Sequence, residues 1–150
     1  MSKLEDAVRI EAPPEVVYAQ LEIFLSDTRN YRQWHRAHEH LEWTRGAPFQ
    51  TGSICYAEAF VLGRLWRSRL IFVEVIENRH VEFRPVWPMS LLIPGCAFDL
   101  QPLDEGRATL LRSSSRLGLR GRSSNTLHSA HRHLQEEAVA LKRAAEAALS

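Results

Sequence analysis

Cysteine is scarce: Cys55 and Cys96 are the only two in 150 residues. They stand far apart in strand-like contexts, which excludes a disulfide framework or a zinc ribbon and leaves buried thiols in a reducing compartment as the expectation. No apolar run approaches the length of a membrane span, and the opening Met1-Ser2-Lys3-Leu4-Glu5-Asp6 lacks the apolar stretch of a signal peptide, so the expected location is cytoplasmic. A surplus of charge is missing too. The formal net charge is +1, and the local run Arg112, Arg116, Arg120 and Arg122 reads as a solvated strand edge and loop. Neither nucleic acid nor a membrane is therefore expected as a partner; a homodimer stays open.

What is present is an ordinary globular composition, 45% hydrophobic and 25% charged, at a length that suits one domain over 1–150. Ala7 to Ala12 alternates as a short strand, and Pro13-Pro14-Glu15 then opens a helix to about Leu25, with Val16, Val17, Leu21 and Phe24 as its inward stripe. A short helix or irregular turn is expected over Asp27 to His38. Strands follow at about 41–45, 52–62, 65–76, 80–86, 92–101 and 107–117, separated or kinked by Gly46, Gly52, Gly63, Asn78, Pro88, Gly95 and Asp104-Glu105-Gly106. From Thr126 to Ala148, Leu127, Ala130, Leu134, Ala138, Leu141, Ala145 and Ala148 recur at helical period. No repeat or linker interrupts this order. The predicted class is α+β: a curved antiparallel sheet of about seven strands wrapped round a long C-terminal helix, with a cavity between them.

Six of the seven histidines fall in two clusters, His35, His38 and His40 near the front and His128, His131 and His133 near the back. Imidazole is the commonest metal ligand. Four residues on a helix turn through roughly 40° net, so His133 and Glu137 share one margin of the apolar stripe, whereas Glu136 points nearly opposite it and is a poor ligand candidate. In the strand at 52–62, alternation puts Ile54, Tyr56, Glu58, Phe60 and Leu62 on one face, so that a carboxylate interrupts a row of large apolar side chains. Buried there, Glu58 needs a metal, a neutral form or an arginine, for which Arg67 or Arg69 is the cross-strand candidate. The front ligand is His35 or His38. His80, beside the turn at Asn78, is expected to face solvent. Trp34 and Trp66, with Trp43 and Trp87, read as core or cavity wall, and Tyr31 and Tyr56 as donors to a phenolic ligand.

The order of elements, together with the Pro-Pro-Glu-Val-Val-Tyr helix start, resembles the START-like, polyketide cyclase-like helix-grip superfamily. The resemblance implies a cavity for an aromatic or polyketide-like small molecule. A sharper likeness lies in Tyr31-Arg32-Gln33-Trp34-His35-Arg36-Ala37-His38, in Glu58 followed by Gly63, and in His133-Leu134-Gln135-Glu136-Glu137. These segments look like the metal-site segments of the diacetylphloroglucinol hydrolase and phloretin hydrolase family. That resemblance implies Zn2+, or another divalent metal, on His38, Glu58, His133 and Glu137, with Glu58 and His35 as catalytic groups and Tyr31, Trp34, Tyr56 and Trp66 against the substrate. The implied reaction is hydrolysis of a carbon–carbon bond in an acylated phenol or related aryl ketone. The chain is shorter than the family pattern and its spacing from His38 to Glu58 is compressed. The alternative is a metal-free helix-grip protein that binds or cyclises such a ligand.

Overall fold

The computed structural model describes residues 2–61, 63–91, 93–118 and 124–149. Leu62, Leu92, Arg120 and Arg122, named above as strand ends or part of the basic run, lie outside them.

The chain runs β1 (Ser2–Ile10), α1 (Pro14–Phe24), α2 (Thr28–Trp34), β2 (His38–Arg45), β3 (Ile54–Val61), β4 (Arg64–Ile76), β5 (His80–Pro85), β6 (Gly95–Leu103), β7 (Ala108–Leu117) and α3 (Ser124–Ala147), with single 3-10 turns at Met89–Leu91 and Asp104–Gly106. The seven strands form one curved, open antiparallel sheet in the order β1-β7-β6-β5-β4-β3-β2. From β2 to β7 it is a meander, so successive turns fall at alternate ends. The crossover is made by α1 and α2, which carry the chain from edge strand β1 to edge strand β2. β1 is longer than its Ala7–Ala12 pattern suggests because all nine residues pair with β7, from Ser2 opposite Leu117 to Ile10 opposite Thr109.

Helix α1 starts without a side-chain cap, as Pro14 at the first helical position has no N–H to satisfy. In α2 the Asp27 carboxylate accepts from the Asn30 N–H at 2.9 Å, an N-cap. At its other end His35 is extended, which stops the helix after about two turns and sends the chain into β2. The α3 stripe is buried at Leu134, Ala138, Leu141 and Ala145, against Val17, Leu21, Phe98 and Leu111 from α1 and the concave face. Its N-terminal part, Leu127 and Ala130, is only partly covered, because the sheet stands off from the helix there and leaves a cavity.

Candidate functional site

The face of β3 decides what reaches that cavity. Cys55, Ala57 and Ala59 point inward, beside Trp66, Ser68 and Leu70 of β4; Tyr56 and Glu58 point to the convex side. The expectation that Glu58 sits among buried apolar groups is corrected: it accepts from the Tyr56 hydroxyl at 2.6 Å and pairs with Arg67, its cross-strand neighbour, at 3.3 Å. Glu58 is satisfied there and remote from the histidines that line the cavity, and Tyr56 shares the outer face. Tyr56 and Glu58 lie outside, and the small residues Ala57 and Ala59 inside make room. Tyr31, Trp34 and Trp66 do line the cavity.

The void measures about 190 Å³, and its walls are overwhelmingly apolar, with Leu25, Phe83, Met89, Ile93, Phe98 and Leu134 among them. Besides scattered serine and threonine hydroxyls, ionisable groups gather at one place. His38 of β2, His133 and Glu137 of α3 converge, with both Nε2 atoms 2.9 Å from Glu137 Oε2. His38 and His40 are two apart yet face opposite sides, because a bulge between them puts His38 opposite Ala59 and His40 opposite Glu58. His38 is fixed further by stacking on Tyr31, with ring centroids 3.9 Å apart, and by its Nδ1 donating to the Tyr31 carbonyl at 3.0 Å. The Trp34 indole N–H donates to the Glu137 carbonyl at 3.0 Å and ties α2 to α3.

His35 also joins the group. Its ring lies 4.1 Å from that of His133, and its Nε2 is 2.8 Å from Glu136 Oε1, with Arg36 on the other oxygen of that carboxylate at 3.5 Å. Glu136, set aside on helical geometry as a ligand, is brought to His35 because the extended residue after α2 reaches round to the flank of α3. His131 stays out of the cluster, and His128 faces solvent against Arg132.

Burial works against the Glu137 charge, but His133 and His38 outweigh it and hold the carboxyl well below its usual range. Burial likewise opposes the His133 charge, and Glu137 more than compensates, raising that imidazole. His35 is lowered, by burial and then by His133. The Tyr31 phenol is pushed well up by burial and by Glu137, so it stays a donor. Burial raises the thiols of Cys55 to about 12 and Cys96 to about 11, and both cysteines are free.

Among the described residues, two groups of side chains could hold a divalent metal: His35, His38 and His133, and, on the outer face, Glu74, His80 and Glu82. In the first, one nitrogen from each ring lies within 4.8 Å of the others. Tetrahedral zinc with bonds of about 2.0 to 2.1 Å would draw such atoms to roughly 3.4 Å apart, a small side-chain adjustment. Hydrogen bonding separates the three rings. Both nitrogens of His38 face acceptors, the Tyr31 carbonyl and Glu137, and a neutral imidazole carries one proton, so its Nε2 calls for a further positive charge, a proton or a metal ion. His35 is the reverse: the Ala37 N–H donates to its Nδ1 at 2.9 Å, which leaves Nε2 protonated toward Glu136 and unavailable to a metal. Of the two expected carboxylates, Glu137 is the one that meets His38 and His133.

The second group also corrects an expectation. His80 is not solvated: its Nδ1 lies 2.5 Å from Asp99, and its Nε2 lies 3.2 Å from Glu82 and 3.5 Å from Glu74.

No family model and no curated protein matches this chain. Solved structures do. A START superfamily protein from Mycobacterium smegmatis superposes with a TM-score of 0.72 at 17% identity, covering 96% of this chain and 97% of that one. The protein TTHA0849 from Thermus thermophilus gives 0.72 at 14% identity over 99% and 100% of the two chains. The Zhui aromatase/cyclase from Streptomyces sp. R1128 gives 0.63 at 17% identity over 97% and 92%. The fold is thus the START-like, polyketide cyclase-like helix grip; at these identities the likeness concerns fold alone. No helix among the described residues is long and apolar enough to cross a membrane.

Proposed function

We propose that the chain, as one domain over 1–150, binds an aromatic or polyketide-like small molecule in the cavity between sheet and α3. The observation that carries this reading is an apolar chamber whose walls turn polar where His38, His133 and Glu137 converge. A planar ligand can lie among Trp34, Trp66 and Phe98 with a ketone or phenol oxygen toward that group, while Ser115 and Ser129 offer hydroxyls elsewhere on the wall. The two free thiols, both held protonated, suit the reducing cytoplasm. The test is calorimetric titration with a panel of acylphloroglucinols and flat polycyclic phenols; absence of binding across the panel would sink the reading.

A second reading rests on the donor set of His38, His133 and Glu137. A divalent ion held there would supply polarisation of an aryl ketone carbonyl and a water of lowered pKa. Tyr31 and Trp34 would position the aromatic ring, and the apolar wall would exclude bulk water. Hydrolysis would then add water to the acyl carbon, break its bond to the ring, return a proton to the ring carbon and release a carboxylic acid. Mass spectrometry for the deacylated phenol and the acid, on metal-loaded protein with and without chelator, separates the two readings: binding without conversion leaves the carrier or cyclase, and conversion stopped by chelation supports the hydrolase.

A further inference from the structure

The meander sorts the turns into two ends, and the carboxylates are sorted with them. The end that carries the turns β4–β5 and β6–β7 holds Glu77, Asp104 and Glu105, with Glu11 and Glu146 nearby; Arg9 meets Glu11 and Asp104 there, Lys142 meets Glu146, and Arg79 and Arg107 lie in the turns themselves. At the other end, where β3–β4, β5–β6 and the end of β7 meet, the chain has no aspartate or glutamate over residues 59–70, 83–98 or 112–118, while Arg64, Arg67, Arg69, Arg84 and Arg116 lie there and Glu39 stands at the start of β2. Arg67 answers Glu58, and Lys3 at the start of β1 answers Glu5. Arg116 lies across Gly95, where a Cβ would stand 2.5 Å from its guanidinium, so the first residue of β6 leaves the cation room beside the β5–β6 loop.

The same end exposes large apolar side chains. Trp87 is 74% exposed, and Phe60, Leu65 and Leu91 are exposed as well. Phe60 and Leu65 face each other across the β3–β4 hairpin, and Val86 donates its N–H to the Arg69 carbonyl, which seats Trp87 beside the arginines of β4. These loops also supply Val61, Met89 and Ile93 to the cavity wall. A protruding indole with exposed apolar side chains and several arginines on the same end, and no carboxylate in the loops, matches the chemistry of an anionic bilayer surface, where tryptophan sits at headgroup depth and each nearby basic residue adds attraction. The lack of a membrane-spanning stretch has no bearing on such peripheral contact.

We propose that this end of the molecule, which exposes Trp87 and carries Arg64, Arg69, Arg84 and Arg116, docks on anionic lipid surfaces and turns this side of the cavity toward the bilayer. Flotation of the full chain with vesicles tests it. Mixed phosphatidylcholine and phosphatidylglycerol vesicles should carry the protein up, and pure phosphatidylcholine vesicles, or added salt, should not. Trp87→Ser should weaken the partition, and Arg64→Glu with Arg84→Glu should weaken it by about fivefold or more for each arginine replaced. Ile76→Ser, an exposed apolar residue at the acidic end, is the control and should leave it unchanged; far-UV circular dichroism verifies that each variant is folded. No binding to the anionic vesicles would overturn the proposal, as would a Trp87→Ser variant that binds as tightly as the parent. So would a solution dimer that Trp87→Ser dissociates, since that would make the face a contact between two copies.

Discussion

His35 and His38 stand three residues apart with opposite tautomers. His38 gives its Nδ1 proton to the Tyr31 carbonyl and turns Nε2 toward Glu137, whereas His35 receives the Ala37 N–H on Nδ1 and gives its Nε2 proton to Glu136. Of the two imidazoles, only that of His38 lines the cavity and turns Nε2 toward a second acceptor, where a proton or a metal ion completes the contact.

Metal binding should follow that division. Protein prepared without chelator or histidine tag should take up close to one zinc per chain. His133→Ala and Glu137→Gln should each weaken zinc by more than the roughly 10- to 100-fold that loss of a supporting partner costs. His131→Ala should leave it unchanged, and His35→Ala should have the smaller effect of a neighbour. Competition with a chromophoric chelator measures this; equal affinities for the variants at 131 and 133 would contradict the site.

Glu58→Gln should leave zinc affinity and ligand affinity where they are, because the residue serves Tyr56 and Arg67 on the outer face. A loss comparable to that of Glu137→Gln would return Glu58 to the ligand set.

Ligand binding should depend on small residues in β3. Ala57→Phe, opposite Leu41, extends a ring into the cavity and should abolish binding of the aromatic panel, with the zinc stoichiometry kept. Titration of the same variant with metal and with ligand checks both halves.

In the core, Leu141→Ala empties a fully buried position on α3 away from the cavity. Urea denaturation should show a loss of about 2 to 5 kcal/mol.

His80 sets a pH dependence. Burial alone would lower its pKa, but the hydrogen bonds to Asp99 and Glu82 outweigh this and raise it. Its contribution to stability is therefore fully present below the unfolded value of about 6.5 and is lost as pH rises through the higher folded value. Urea midpoints should fall as pH rises above about 6.5 and through the higher folded value of this group, and less steeply in His80→Gln.

The order of elements, the long helix and the pairing of His133 with Glu137 were legible because they depend on local periodicity. The face of β3 was not. Alternation separates Ile54, Tyr56, Glu58 and Phe60 from Cys55, Ala57 and Ala59 correctly, but a solid core would choose the larger set to bury. A hollow one chooses the smaller, and alanine at 57 and 59 is the trace the cavity leaves in the sequence. The approach of His35 to Glu136 was hidden for another reason: it depends on how an extended residue leaves α2, which no periodicity records. The bulge that turns His38 in and His40 out is likewise a matter of pairing with β3.

Trp34 and His38 grip the same residue of α3 at two points, the indole on the backbone carbonyl of Glu137 and the imidazole on its carboxylate. Two anchors on one residue index the helix both along its axis and about it. A slide by one position, about 1.5 Å, would carry the carbonyl off the indole, and a rotation would swing the carboxylate off the imidazole. The long helix is thus keyed to the segment from Trp34 to His38, and cavity size can change through the sheet wall without detuning the polar group.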